Sequence, residues 1–189
     1  LAALVFGRWW GVAGMLVLAC NPVFARHALQ CDSHMAVTVL LVWGLAALAL
    51  WSAKETWTMA FAAGVLLGAI PTVRYPEALF AIGIGTFLLL HWCRPRKWVH
   101  YTAAVAGALV PLCPLLIHNQ LAFGAFWETA YALTGEQTGF GLSYFRTNAM
   151  HYIGALQGDG LGLLMCPGLL GIGGMVSTRK TRALGILIA

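Results

Sequence analysis

The chain has 189 residues, of which 60% are hydrophobic and 9% charged, with a mean hydropathy of +0.80. A soluble domain carries roughly 25% charged residues, so this composition excludes a water-solvated surface and predicts a chain whose solvent is lipid. The net charge of +5 does not mark a nucleic-acid binder, because the basic residues fall in short clusters between apolar runs, with no basic aromatic surface to follow a phosphate backbone.

Backbone polar groups in hydrocarbon must be satisfied within the segment, so each apolar run reads as a helix. Spans are expected at about 9–22, 35–53, 58–70, 77–92, 99–117 and 161–177, with an outer loop over 118–159. The expected fold is all-α: a polytopic transmembrane helix bundle with an interfacial helix on the outer face. It forms one transmembrane domain over 1–189. Position 1 is Leu, and the apolar run from Ala183 stops at Ala189. A span needs about 20 apolar residues, so the chain is expected to be a fragment truncated at both ends. The cysteines at 20, 31, 93, 113 and 166 form no CxxC pair and read as small apolar residues.

Alternate connections separate by charge. Arg8, Lys54, Arg94, Arg96, Lys97, Arg179, Lys180 and Arg182 fall on one side, and Arg26, Arg74 and Arg146 on the other. The positive-inside rule makes the first side cytoplasmic. The acids Asp32, Glu77, Glu128, Glu136 and Asp159 then lie outside, and Glu55 inside.

The pair 58–70 and 77–92 reads as a helical hairpin broken at its outer end by Pro71 and Pro76, which lack an N–H and disfavour helix just before them. Gly64 and Gly68 give a small-xxx-small face for close packing. Residues 143–157 have helical spacing, with Tyr144, Ala149, Tyr152, Ile153 and Leu156 on one side. An amphipathic helix on the outer interface is expected there. The competing reading is an ordinary loop.

Three outer constellations carry candidate chemistry. In the first, Asp32 precedes an apolar helix and reads as its N-cap or as a site carboxylate. Arg26 and His27 nearby are placed to meet a phosphate or lipid headgroups. In the second, Arg74 sits in a break near membrane depth, where ionisable residues are costly and mark function. Its guanidinium fits phosphate oxygens. The alternatives are a pair with Glu77 or snorkelling to headgroups. The third runs from His118 and Asn119 through Phe123, Phe126, Trp127 and Glu128 to Tyr131. Its aromatics read equally as interface belt residues, and His118 and Asn119 as a solvated helix end. No HExxH, GxSxG, Walker loop or His/Cys ligand set is present.

At these motifs the sequence resembles the GT-C type of polytopic glycosyltransferase. The resemblance is to the family 39-like branch of protein O-mannosyltransferases and lipid A aminoarabinose transferases. It rests on Asn21 and Pro22 followed by Arg26 and Asp32, and on Gly64 and Gly68 followed by Thr72 through Glu77. It rests also on Asn119, Phe123 and Gly124 followed by Tyr131, and on Gly160 and Gly162 leading to Pro167. The resemblance implies an enzyme passing a sugar from a polyprenyl-phosphate-linked donor to a protein, lipid or glycan acceptor. The expected place is the outer face of a bacterial or archaeal cell membrane.

By the resemblance, the main catalytic acid lies upstream of position 1, leaving the fragment inactive alone, and Asp32 is a secondary carboxylate. Arg74, Arg26 and His27 are expected to hold the donor phosphate. Tyr75, His118, Asn119, Glu128 and Tyr131 form the acceptor or loop site. No cofactor is fixed; a divalent cation is one candidate, and the metal requirement stays open. The expected partners are the donor, the acceptor and membrane lipids, with no nucleic acid. The alternative function is a transporter or flippase without transferase chemistry.

Overall fold

The computed structural model describes residues 7–30, 32–91, 98–134, 141–162 and 165–177, and among them the structure is helical with no strand. The basic clusters at 94–97 and 179–182, and Glu136, lie outside the described residues.

The first apolar run does not form one straight span. Helix α1 (Arg8–Ala19) ends in a turn, and α2 (Pro22–Leu29) leaves it at 72°. The cause is local. The Asn21 side chain accepts from the Phe24 backbone N–H at 2.9 Å, and Pro22 stands in the first turn of α2, where its missing N–H costs nothing. Residues 22–29, expected to be a connection between spans, are therefore a capped helix. Helix α3 (Ser33–Lys54) follows, with Asp32 as its N-cap.

Helix α4 (Trp57–Gly68) continues through a turn at Ala69 into the short α5 (Ile70–Val73). Arg74 is extended at φ −149°, ψ 115°, a 3-10 turn covers Tyr75–Leu79, and α6 (Phe80–His91) returns. Pro71 and Pro76 each stand in the first turn of the piece that follows the break, as expected of residues that start helices but cannot continue them.

Helix α7 (Trp98–Phe123) runs six residues beyond the expected end at 117 and carries Pro111 and Pro114 inside it. His118 and Asn119 are therefore helical rather than part of a loop. Beyond it lie the short α8 (Ala130–Thr134) and α9 (Leu142–Ala155). A π-helical segment covers Leu156–Leu161, and α10 spans Met165–Ser177. The helix expected over 143–157 is α9. Tyr144 and Tyr152 share one side of it, with hydroxyls 3.3 Å apart.

The core lies where α3, α4, α6 and α7 meet, around Leu48, Trp51, Ala60, Ala63, Phe87 and Tyr101. Small residues set its spacing. A Cβ on Gly64 would strike the backbone carbonyl of Ala104, one on Gly107 the carbonyl of Phe61, and one on Gly68 would lie 2.7 Å from Ala108 Cα. The small-residue face of α4 thus packs on α7. The return arm α6 reaches the core through side chains, with Phe87 2% exposed.

Helices α3 and α7 are each long and apolar enough to cross a membrane, and the bent pair α1–α2 would be a third if taken as one span. Large apolar side chains face outward on both, among them Val42 and Trp43 on α3 and Val105, Leu109, Val110 and Ile117 on α7. An apolar surface of that extent on a long helix is suited to lipid rather than water.

Candidate functional site

One end of the helix set gathers the polar residues, and the break between α4 and α6 is its centre. Asp32 is held first by its own backbone. Its Oδ1 accepts from the His34 N–H at 3.2 Å and the Ser33 hydroxyl at 3.1 Å. The backbone bond from His34 holds the carboxyl below the ordinary aspartate range, aided by Ser33 and His27 and opposed by partial burial. Oδ2 lies 3.1 Å from His27 Nδ1. The N-cap reading of Asp32 is correct, and the same carboxylate also meets a histidine.

Arg74 reaches across to α3. Its Nη1 lies 3.1 Å from His34 Nδ1, also within hydrogen-bond distance of Nε2. A guanidinium only donates, so the ring must offer a lone pair. Glu77 Oε1 is 3.7 Å from Arg74 Nε and 3.9 Å from His34 Nδ1. These are ion-pair distances, longer than a hydrogen bond. The buried Nε of Arg74 has no hydrogen-bond acceptor among the described residues. The Arg74–Glu77 pair, one of the alternatives for Arg74, is present but loose, and the closer partner is His34. The rings of His27 and His34 meet edge to face at 5.8 Å, linking the Asp32–His27 pair to the Arg74–Glu77 pair.

A second group forms around Tyr75, the first residue of the 3-10 turn. The Tyr75 hydroxyl donates to Asn119 Oδ1 at 3.0 Å, and Asn119 Nδ2 donates to the Phe126 carbonyl at 3.3 Å. Tyr131 packs its ring against Tyr75, centroids 6.0 Å apart. Asn119 is 2% exposed, so it is a buried strut and not a solvated helix end. His118 faces outward with its ring against Phe123. Glu128 and Arg26 are exposed, and no side-chain partner holds either among the described residues. The structure thus joins Tyr75, Asn119 and Tyr131. It leaves His118 and Glu128 outside their hydrogen-bonded group, and Arg26 outside the His27–Asp32 pair.

Two cavities flank the turn. One, of about 260 Å³, is lined by Leu48, Gly64, Gly68, Ile84, Leu88 and Ala108 among others, with Pro71 and Glu77 also in its wall. The other, of about 500 Å³, is open and lined by Tyr75, Pro76, Leu79, Ile82, Thr129 and Tyr131. Among the described residues no group of three or more His, Cys, Asp or Glu is placed to hold a metal ion. A divalent cation therefore finds no ligand set there.

His34 is a functional candidate with no role in the sequence analysis, where Glu77 stands only as an alternative partner of Arg74. The signal available was His34 two residues after a capping Asp, facing a broken hairpin. Asn21 is a further case. Besides capping α2, its amide donates to the Gly160 carbonyl at 2.6 Å, tying α2 to the π-helical segment. Comparison with protein-family models, with curated proteins and with solved structures finds no match.

Proposed function

We propose that the chain is part of a polytopic membrane glycosyltransferase. In this reading it transfers a sugar from a polyprenyl-phosphate-linked donor to a protein, lipid or glycan acceptor at the outer face. The observation that carries the reading is the placement of Arg74. It offers a buried Nε without a hydrogen-bond acceptor, next to Glu77 in the wall of an apolar cavity between helices. A lipid-linked phosphate asks for this pairing of a cationic fork with an apolar groove. The fork binds the phosphate oxygens, and the groove takes the phosphate-proximal end of the prenyl chain. The leaving group gains negative charge as the sugar departs, so a guanidinium already in place favours the transition state over the ground state.

The outward-facing Tyr144, Phe145, Met150 and Tyr152 of α9 suit a helix lying in the headgroup layer. A transporter or flippase would be expected to keep ionisable groups near the midplane. His27, Asp32, His34, Arg74 and Glu77 stand together at helix ends, which favours transfer chemistry at an interface.

The test is transfer from a polyprenyl-phosphate sugar in membranes holding the intact protein. Arg74→Ala should lower transfer on the order of 10²-fold, the scale seen when a donor to developing negative charge is removed. Asp32→Asn should also lower it, and both variants should insert normally. Wild-type transfer rates in both would remove the assigned site.

A further inference from the structure

The turn between α2 and α3 pairs an imidazole with a carboxylate whose oxygens are both engaged. Asp32 Oδ1 accepts from the His34 N–H and the Ser33 hydroxyl, and Oδ2 faces His27 Nδ1 at 3.1 Å. A carboxylate stabilised by this many donors is a weak proton acceptor, and the lowered proton affinity of Asp32 agrees with that. The histidine is arranged the other way. An ionised carboxylate at Nδ1 takes that nitrogen's N–H, which leaves the lone pair on Nε2. Nε2 has no hydrogen-bond partner among the described residues, and the side chain is 37% exposed. The basic atom open to a substrate is therefore on His27.

We propose that His27 is the proton acceptor of the transfer step and that Asp32 is the positioning residue that fixes its tautomer. The proposal rests on the glycosyltransferase reading above. By the resemblance, His27 is expected among the donor-phosphate ligands and the main catalytic acid upstream of position 1; the geometry gives His27 a different role. In the step proposed here, His27 Nε2 takes the proton of the acceptor hydroxyl as that oxygen bonds to the anomeric carbon of the donor. The bond from this carbon to the phosphate oxygen breaks, and its electron pair leaves with the polyprenyl phosphate. The products are the glycosylated acceptor, a phosphate with one more negative charge and an imidazolium. Asp32 offsets the imidazolium charge, and the proton passes to water at the exposed edge. Arg74 stands beyond His34 on the same end of the protein, so the phosphate fork and the base serve one site.

Among the described residues the groups around His27 are few. Asp32 and His34 face it directly, with Arg74 and Glu77 behind His34. Its own helix carries Arg26, the π-helical segment packed on that helix carries Asp159, and α1 carries Arg8 at its far end.

The experiment measures transfer against pH for wild type, His27→Gln, His27→Gly and Asp32→Asn in membranes holding the intact protein. His27→Gln should lose about 10²–10⁴-fold in kcat/KM, the range for a removed general base. The loss of wild-type rate on acidification should disappear with it. Added imidazole should restore transfer in His27→Gly, which separates a missing base from a missing fold. Asp32→Asn should lower kcat and leave KM for the donor unchanged. A His27→Gln rate within about threefold of wild type, outside the range for general-base removal, overturns the proposal. So does loss in His27→Gly that imidazole does not restore, which makes His27 structural. Wild-type membranes that transfer from no polyprenyl-phosphate sugar overturn the transferase reading itself, and the base role with it.

Discussion

The Tyr75 hydroxyl donates to the side-chain carbonyl of Asn119 at 3.0 Å, tying the break between α4 and α6 to the C-terminal end of α7. Asn119 is almost wholly buried, so this bond satisfies an acceptor that water does not reach freely. Tyr75→Phe removes the donor and keeps the ring against Tyr131. It should lower stability by about 1–3 kcal/mol, the cost of an unsatisfied buried group. Thermal unfolding of the detergent-solubilised protein measures it, and an unchanged midpoint would show that the bond contributes nothing.

The contact of α4 with α7 admits no added side chain at three positions. Gly64→Val and Gly68→Val place atoms against the backbone at Ala104 and Ala108, and each should cost at least about 1–3 kcal/mol through overpacking. Gly85 on α6 is the internal control, since a Cβ there meets nothing within 4 Å. Gly85→Ala should extract as a monodisperse species like wild type, while the two valine variants aggregate or unfold at lower temperature.

The Asp32 cap should make the protein acid-sensitive. Its carboxyl is held below the ordinary aspartate range by the backbone bond from His34. A depressed carboxyl contributes stability that is present above the unfolded-state value and is lost as pH falls through the lower folded-state value. Asp32→Asn keeps a capping oxygen and removes the titration, so its acid unfolding curve should lose that step. Asp32→Ala loses the cap, at roughly 0.5–2 kcal/mol, at neutral pH as well. Helical circular dichroism against pH distinguishes the three proteins.

Arg74→Lys separates charge from geometry. Lysine keeps a positive charge but lacks the planar fork. It also brings a compact ammonium to a place where Arg74 now reaches His34 and Glu77 together. Transfer in Arg74→Lys should stay near that of Arg74→Ala, read in the same membrane assay. Recovery to wild-type rate would show that charge alone suffices.

Sidedness is tested by labelling. In a cysteine-free background, a cysteine at Pro95 should react with an impermeant maleimide only after the membrane is opened. One at the exposed Glu128 should react from outside intact cells. Labelling at 95 from outside would reverse the orientation.

Much of the fold was legible in the sequence because its determinants are local. Apolar runs name the helices, Asp32 ahead of an apolar run names its cap, and Pro71 and Pro76 name the break. The end of α7 was not legible. His118, Asn119 and Gln120 look like polar loop residues, yet Asn119 is drawn into the core by Tyr75 and the Phe126 carbonyl, and the helix continues through them. The bend at Asn21 was also missed, because a short helix carrying Arg26 and His27 after an apolar run resembles a connecting loop.

The sequence by itself determined an all-helical chain with membrane-length apolar helices, a small-residue face on α4 and polar groups at one set of helix ends. Each follows from residues within a turn or two of one another. Only the tertiary structure decided that α4 presents its glycines to α7 rather than to its own return arm, and that Arg74 reaches His34 more closely than Glu77. It also decided that Asn21 meets Gly160 and Tyr75 meets Asn119. These pairings join residues 40 to 139 positions apart. They depend on which helices approach most closely, and that is set by the fit of whole faces, here glycine and alanine against backbone.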